Sequence, residues 1–515
     1  MRRAWYVGLL FAIAVSMAAT VCLAAGDEFV MANYTDTRTL DPQKIHDYQS
    51  GLMGWNIYEG LLEYDVTDFS IRPLLATSWE VHEDGMGITF QLREGVTFHD
   101  GTPFDAEAVV YSFERLLALG ETPASFLETI TRWEVEGDYT VSFYTDGVWA
   151  FWEDAFASHK GLLIVSPTFA KAHATADDPW AENWLVDHAS GTGPYKLTEW
   201  LRGQYIKGTW NEDYWAGWPT DHHFFKTIVL RYVPEVSIQT LQMKNGEIDY
   251  SSGINPRDVP ELQANADVQV DLVNALAQQF IFFNSSKPPL DNRLIREAIC
   301  RAIDYEAVNA AYLPTLKPAQ GILSSTMPSF LSTIPQSVQD MDVAKQLLAQ
   351  SGYDRGEITL ELVPIAGTWQ SDGALVIQQN LAELGINVNI NPTPWSIYQN
   401  LRLDVETMPQ MSFMYLELFL ADPIGLIKEA FTPTGIFKIG YVNEAVGVLA
   451  ELAETLPTRE ERWGIYKGIQ QLVYPDFPAI YLHERQHVFT YRTDVGGYVP
   501  DAMHLSVDAH NLWRD

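Results

Sequence analysis

The segment from His483 to His487 has the residue types and spacing of a zinc site. It reads His-Glu-x-x-His, which on a helix places two imidazoles on one face beside a glutamate that can act as a base. Its flanks are β-branched and aromatic, however, so the pattern predicts a strand, where side chains four positions apart lie roughly 13 Å from each other. Two imidazoles so far apart cannot share one zinc ion at bond lengths of about 2 Å. We therefore predict a structural strand, with no metal and no catalytic residue. A zinc hydrolase using His483, Glu484 and His487 is the alternative.

Nucleophilic chemistry has little support elsewhere in the chain. There is no Gly-x-Ser-x-Gly turn of the hydrolase type. Beyond Cys22 near the N-terminus, the one cysteine is Cys300, which lies among apolar residues at helical spacing. This pattern predicts a buried, inert thiol, and we expect neither a disulfide nor a cofactor.

Aromatic side chains are better candidates, as walls of a binding site. The chain has 16 Trp and 24 Tyr, and several of them follow directly on predicted strands. Aromatic faces supply large contact area at little entropy cost, and their polar edges can orient a ligand. Core packing is the alternative for each of them. The candidates around these strand ends are Trp369, Trp395, Tyr398, Tyr415, Glu417, Phe419 and Asp422.

Short β-like runs alternate with capped helices, which predicts an α/β fold. One predicted helix covers 106–118, capped by Asp105 and stopped by Gly120; two more cover 342–350 and 372–384. Helices that end in glycine and lead into a strand are typical of open sheets, whose ligands gather beyond the strand ends. The predicted strands are 28–33, 87–92, 140–144, 227–232, 279–284, 358–363 and 386–390.

Length and composition indicate a globular protein of two or three domains. The chain has 515 residues, of which 47% are hydrophobic. Its formal net charge of -34 repels phosphate backbones, so nucleic acid is not expected as a partner.

The N-terminus has the pattern of a signal peptide. Met1-Arg2-Arg3 precedes an uncharged run from 4 to 26 that ends in small residues. We predict cleavage after residue 25 and a location in the periplasm or extracytoplasmic space. An uncleaved membrane anchor is the alternative. Lipid attachment at Cys22 is disfavoured, because residues 19–21 match the lipidation pattern poorly.

Several motifs spread along the chain resemble one known family. The most specific is the run F-Q-L-R-E-G-V-T-F-H-D-G-T-P-F at 90–104. The chain resembles the family 5 extracellular solute-binding proteins of ABC importers, the oligopeptide, dipeptide and nickel-binding group. Further matching segments are Thr39-Leu40-Asp41-Pro42, Asn56-Ile57-Tyr58-Glu59-Gly60, Gly191-Thr192-Gly193-Pro194-Tyr195, Asn211-Glu212-Asp213-Tyr214-Trp215 and Asp291-Asn292-Arg293-Leu294.

This resemblance implies a two-lobe periplasmic-binding-protein clamshell of type II, with an extra subdomain in the first lobe. The expected divisions are lobe I at 26–277, the extra subdomain at 63–190, lobe II at 278–483, and a return to lobe I at 484–515. The crossings between lobes are expected near 278–284 and 480–488.

The resemblance also implies a site between the lobes. Family members use the loop after the first strand, here Tyr34-Thr35, at the cleft. Peptide-binding relatives place an aspartate three residues before an acid-Pro pair, where it meets the peptide's amino terminus. Asp422-Pro423 fits that pair, but the aspartate position holds Phe419. Recognition of an amino group then depends on Glu417 or Asp422.

The implied function is capture of a small polar solute and its delivery to the transmembrane subunits of an ABC permease, without catalysis. Peptide-like solutes lead by resemblance. Oligosaccharides and metal chelates stay open as alternatives, and a monomer is expected.

Overall fold

The computed structural model describes residues 27–313, 316, 318–418, 420–433, 435–503 and 506–514. The predicted leader, Cys22 and Phe419 lie outside these ranges. The strands are β1 (Glu28–Asn33), β2 (Leu62–Tyr64), β3 (Ile71–Pro73), β4 (Ala76–Val81), β5 (Gly87–Leu92), β6 (Ile130–Gly137), β7 (Thr140–Thr145), β8 (Tyr195–Leu201), β9 (Tyr205–Trp210), β10 (Thr227–Tyr232), β11 (Tyr250–Ser251), β12 (Val268–Phe283), β13 (Thr359–Val363), β14 (Asn387–Ile390), β15 (Met411–Glu417), β16 (Ala479–Arg492), β17 (Val495–Gly496) and β18 (Trp513–Arg514).

Helices alternate with these strands. None of those placed within the described ranges has both the length and the apolar composition that a bilayer span requires. The α-helices are α1 (Tyr48–Ile57), α2 (Ala106–Leu119), α3 (Trp152–Ala157), α4 (Pro167–His173), α5 (Glu182–Leu185), α6 (Val236–Asn245), α7 (Val259–Gln263), α8 (Arg293–Ala302), α9 (Tyr305–Ala310), α10 (Met341–Gln350), α11 (Gln370–Leu384), α12 (Trp395–Leu401), α13 (Ile424–Phe431), α14 (Glu444–Ala453) and α15 (Arg459–Val473).

Capping chemistry sets helix ends where the sequence predicts them. The Asp105 side chain accepts a hydrogen bond from the Ala108 amide at the start of α2, and Gly120 ends the helix at φ 62°. Gly385 ends α11 at φ 94°. Strands β1, β5 and β10 have the predicted bounds. Cys300 is buried in α8, as predicted, and burial raises the pKa of its thiol far above the ordinary value.

One large sheet runs through the molecule in the order β14-β13-β15-β12-β16-β11-β1-β10-β9-β8. We call the half from β11 to β8 the first lobe and the half from β14 to β15 the second lobe. The antiparallel strands β12 and β16 join the two halves, since β16 pairs with β11 on one side and β12 pairs with β15 on the other. These are the two crossing strands, and both overlap the predicted crossings. The division points at 277/278 and 483/484 stay predictions.

A second, four-stranded sheet has the order β4-β5-β7-β6 and lies within the segment predicted as an extra subdomain. Its apolar face packs with α2 through Phe90, Phe113 and Phe143, whose rings contact one another edge-on. The sheet therefore has its own hydrophobic face, although its exact limits stay a prediction.

Three of the recognised segments meet at one buried carboxylate in the first lobe. Glu59 accepts hydrogen bonds from the Thr192 hydroxyl at 2.6 Å, the Tyr214 hydroxyl at 2.8 Å and the Trp215 indole at 3.0 Å. A Cβ at Gly193 would lie 2.7 Å from the Asn56 carbonyl oxygen, so only glycine fits this approach. These motifs consequently hold the first lobe together.

Candidate ligand-binding cleft

The crossing strands present polar side chains on one face of the sheet. Gln279 of β12 pairs with Tyr415 of β15 and with His483 of β16, and two positions along the ladder Ala277 pairs with Glu417. Directly paired residues of antiparallel strands have their side chains on the same face. Arg485 follows His483 by two positions and so shares this face. Tyr415, Glu417, His483 and Arg485 thus form a polar row where the lobes join.

A cavity of about 160 Å³ lies beside this row. The first lobe contributes Asn33 and Tyr34 from the end of β1, and Tyr48 from α1. Tyr312, which follows α9, belongs to the second lobe, and β16 supplies the floor from Arg485 to Val488. Residues from both lobes therefore line one space, so a molecule bound there contacts both.

Tyr415 links two charged groups next to this cavity. The Arg485 guanidinium lies 4.9 Å from the centre of the Tyr415 ring, and the Tyr415 hydroxyl donates to Glu417 Oε2 at 3.1 Å. Glu417 Oε1 is buried and has no hydrogen-bond partner within the described ranges. Burial raises the pKa of Glu417 to about 7, although Arg485 acts in the opposite direction. This carboxyl group is therefore poised to change its charge near neutral pH.

Tyr34 and Trp369 lie at or next to the cavity. Tyr34 is 45% exposed and is one of the lining residues. Thr35, also exposed, is not among them. Trp369 packs against Tyr312 and His483, with ring centres 5.3 and 5.4 Å apart.

Trp395 and Tyr398 fall on a short helix, α12, that follows the end of β14. Trp395 is 44% exposed and stacks on Tyr398 at 5.9 Å. Tyr398 is fully buried, and its hydroxyl lies 3.0 Å from the Ser412 hydroxyl. The structure thus places Tyr398 in the core, without a surface for a solute, because the sheet packs against its ring.

Asp422 is likewise sealed in the core, because it is bound by two groups of α15. Arg462 Nε donates to Asp422 Oδ2 at 2.9 Å, and the Tyr466 hydroxyl donates to Oδ1 at 2.6 Å. With 2% of its surface exposed, Asp422 has no room for a ligand. Of the two carboxylates proposed to replace the missing aspartate, only Glu417 keeps an unpartnered oxygen.

The His-Glu-x-x-His segment lies within β16, so the predicted strand is confirmed. His483 Nδ1 lies 2.9 Å from Asn309 Oδ1, and burial lowers the pKa of both His483 and His487 to about 3. Across the described part of the chain, no three His, Cys, Asp or Glu side chains are arranged as a metal site.

Sequence reasoning missed the cavity residues Asn33, Tyr48, Tyr312, Arg485 and His487. Within β16 the signal was a polar run, from His483 to His487, between apolar and aromatic flanks. Of the three residues that the zinc motif singled out, only His487 lines the cavity; His483 and Glu484 do not.

A sheet shared by two lobes, with a cavity at the crossing strands, defines a two-lobe solute-binding protein. Residues 70–437 match the model of the bacterial extracellular solute-binding proteins, family 5 Middle. The chain belongs to this family, which confirms the predicted family, the clamshell fold and the function of solute binding.

Similar proteins cover nearly the whole chain. It is 27% identical over 492 residues to the probable D,D-dipeptide-binding periplasmic protein of Escherichia coli strain K12, covering 93% of this chain and 92% of that protein. It is 26% identical to the glutathione-binding protein of Escherichia coli O1:K1 / APEC, covering 97% and 98%. A solved structure, the ABC transporter-associated periplasmic binding protein of Helicobacter pylori in complex with the peptide STSA, matches with a TM-score of 0.73 and 26% identity, covering 95% and 98%.

Proposed function

We propose that this protein captures a peptide-like solute in the extracytoplasmic space and delivers it to the transmembrane subunits of an ABC permease. The names of the relatives support this class, since they refer to dipeptides, glutathione and a bound peptide. A solute that contacts both lobes favours the closed arrangement, because it gains contacts only when the lobes meet. The protein acts without catalysis, as a monomer, after removal of its leader.

The observation that carries the peptide class is the free oxygen of the buried Glu417 carboxylate. This oxygen has no hydrogen-bond donor beside it. An ammonium group offers both a positive counter-charge and an N–H donor. Asp422 is already bound to Arg462 and is not accessible to a solute. Glu417 is accordingly the group that meets the amino terminus of the peptide.

Calorimetry with a panel of di- to hexapeptides and their N-acetylated forms tests this function. We expect the free amines to bind about tenfold to hundredfold more tightly than the acetylated forms, because acetylation removes the charge that Glu417 neutralises. Ligand at about 100 times its dissociation constant adds roughly 2.7 kcal/mol of stability, which a thermal-shift assay detects. Heat from an oligosaccharide or a nickel chelate, with none from any peptide, would contradict the peptide class.

Trp395 is proposed as part of the solute-binding wall on the second lobe. Among the candidate aromatics of this lobe that the structure describes, it has the largest exposed fraction. Trp395→Ala is expected to weaken peptide binding by about 1 kcal/mol, or roughly fivefold to tenfold, through lost contact area and stacking. Calorimetry measures the affinity, and thermal melting of the unliganded protein measures stability.

Leu403→Ala is the matched control, since Leu403 is exposed to a similar extent just beyond the same helix. Neither variant is expected to shift the melting temperature of the unliganded protein much. Unchanged affinity in Trp395→Ala would remove this residue from the site.

A further inference from the structure

The pairing of the two crossing strands is interrupted where the chain passes between the lobes. Asn274 of β12 pairs with Gln486 of β16, and the next antiparallel pair joins Gln278 to Glu484, so residues 275–277 have no partners on β16. On one side of this bulge β16 pairs with β11, and on the other side β12 pairs with β15. A bulge disrupts the ladder and bends the strand that contains it. The crossing strands therefore bend most easily at this point.

One carboxylate oxygen, Glu484 Oε2, is bound from both sides of the bulge. Asn274 Nδ2, on the side of the first lobe, donates to it at 2.9 Å. From the second lobe, the Ser325 hydroxyl donates to the same oxygen at 2.8 Å, and the Ser324 hydroxyl lies 3.1 Å from it. The Ser324 hydroxyl can instead donate to the Ala275 carbonyl at 3.0 Å. The carboxylate thus ties the two lobes together across the bulge.

The two serines belong to a connecting segment, residues 318–340, that is fixed to the second lobe. This segment runs between α9 and α10. Gln470 of α15 donates to the Ser329 carbonyl at 2.8 Å and accepts from the Leu331 amide at 3.1 Å. Because Gln470 is 1% exposed, these bonds are buried. A movement of one lobe against the other therefore separates the serines from Asn274 and breaks bonds to the shared carboxylate.

Gln278, the residue paired with Glu484, has no such bonds. It is 1% exposed, and neither its side-chain Nε2 nor its Oε1 has a hydrogen-bond partner within the described ranges. Directly paired residues of antiparallel strands have their side chains on the same face, so this amide lies beside the Glu484 carboxylate. A buried amide without partners is unfavourable. The arrangement that satisfies Glu484 thus leaves Gln278 unsatisfied, as expected of an element with a second arrangement that gives the amide its partners.

These two residues lie outside the solute cavity but are connected to it. Neither Glu484 nor Gln278 is among the residues that line the cavity. Gln486 does line it, and its Nε2 donates to Asn274 Oδ1 at 3.1 Å. A solute in the cavity therefore meets a residue that holds Asn274, which in turn binds Glu484.

We propose that Glu484 and Gln278 form a polar latch, which sets the balance between this arrangement of the lobes and a more open one. The bonds of Glu484 stabilise the arrangement in which both lobes line one cavity, and the unsatisfied amide of Gln278 opposes it. The apparent dissociation constant of a solute is its intrinsic value divided by the fraction of protein that is competent to bind. The latch therefore tunes affinity for every solute without touching any of them. Its link to solute binding rests on the proposed function.

Calorimetry with dialanine, trialanine and tetraalanine on the full-length mature protein tests the latch. Glu484→Gln keeps the size of the side chain but removes its charge, so we expect it to weaken binding of all three peptides by the same factor, about threefold to tenfold. Gln278→Met keeps the volume but removes the unsatisfied amide, so it should tighten binding of all three by about twofold to fivefold. A residue that touches the solute would instead change the three affinities by different factors.

Glu136→Gln is the matched control, because Glu136 of β6 also accepts a hydrogen bond from a serine hydroxyl, but in the extra sheet. It should bind the three peptides as wild type does. Thermal melting of each unliganded variant shows whether it is folded. Unequal factors among the peptides, or unchanged affinity in Glu484→Gln, would overturn the latch. A change in Glu484→Gln alone would remove Gln278 from it.

A distance between the lobes separates a failure of this inference from a failure of the proposed function. Spin labels at Glu247→Cys in the first lobe and Gln346→Cys in the second, both exposed positions, report this distance without any solute, and the native Cys300 is buried. We expect Glu484→Gln to raise the population of long distances about threefold or more. If this population rises but no peptide binds, the latch stands and the proposed function is wrong. If peptides bind but neither affinity nor distance responds, the latch is wrong and peptide binding stands.

Discussion

Replacing Arg462 by leucine is expected to lower the free energy of unfolding by about 3 to 5 kcal/mol, because it leaves the buried Asp422 without a counter-ion and leaves Asp154 with only Arg459, at 3.6 Å. The Arg462 guanidinium donates to Asp154 and Asp422, both at 2.9 Å, and all three side chains are at most 2% exposed. Asp154 lies in α3, next to the extra sheet, whereas Asp422 and Arg462 belong to the second lobe. Arg462→Leu is therefore expected to weaken the contact between α3 and the second lobe. Urea denaturation measures the resulting loss in the free energy of unfolding.

Two further variants separate the ion pair from simple packing. Asp154→Asn and Asp422→Asn, added to Arg462→Leu, are expected to restore part of the loss, since neither buried side chain then carries a negative charge. Arg257→Leu, at an exposed arginine, should change stability by no more than about 0.5 kcal/mol. A loss below about 1 kcal/mol in Arg462→Leu would show that water or nearby groups solvate the two carboxylates adequately.

The loss in Arg462→Leu should also depend on pH. Burial raises the pKa of the Asp422 carboxyl even beside Arg462, so without the guanidinium folding takes up a proton at this group. Stability then increases as pH falls, by about 1.4 kcal/mol per pH unit for each proton taken up. The difference from wild type is thus expected to be smaller at pH 5 than at pH 8.

Replacing Glu417 by glutamine is expected to weaken binding of free-amine peptides about a hundredfold at pH 7.5, because the amide cannot neutralise the ammonium group. In the wild type, binding should weaken by about tenfold to twentyfold between pH 7.5 and pH 5.5. The pKa of the Glu417 carboxyl is raised to about 7, so the charge that binds the ammonium is lost as pH falls through this value. Calorimetry across this range measures both effects.

Other groups near Glu417 do not explain such a pH dependence. Burial lowers the pKa of His483 and His487 to about 3, below the tested range. Glu63 also has a pKa raised to about 7, but it lies in the first lobe, near Glu59 and Asp508. The Glu417→Gln variant retains Glu63, so a flat profile in this variant assigns the effect to Glu417, and an unchanged slope would contradict the assignment.

The stability of the unliganded protein should increase as pH falls, whereas its affinity for peptides decreases. Because burial raises the pKa of Glu417, its carboxyl group contributes stability when protonated and loses that contribution as pH rises through about 7. Glu417→Gln is therefore expected to melt at a higher temperature than wild type at pH 8. Thermal melting with Glu451→Gln, an exposed glutamate of α14, as the control checks this expectation. Gain of stability with loss of binding is typical of a functional residue.

Local patterns in the sequence were sufficient for much of the secondary structure and for the family. The cap at Asp105 and the stops at Gly120 and Gly385 depend on residues within one helical turn, so sequence alone predicts them. The strand that contains His483 and His487 was likewise readable, because β-branched and aromatic flanks are local. Family motifs at 90–104 and 191–195 identified a solute-binding protein before any geometry was known.

Tertiary structure alone decided which of the two candidate carboxylates is already paired within the protein. Glu417 and Asp422 lie five residues apart, and both were equal candidates from spacing. The distinction comes from Arg462, forty positions further along, which seals Asp422, while Glu417 keeps an unpartnered oxygen. Trp395 and Tyr398 lie on the same helix, but Trp395 is exposed and Tyr398 is buried. Arg485 shares its cavity with Asn33 and Tyr48, more than four hundred positions away, and contacts at such separation leave no periodic trace in a single sequence.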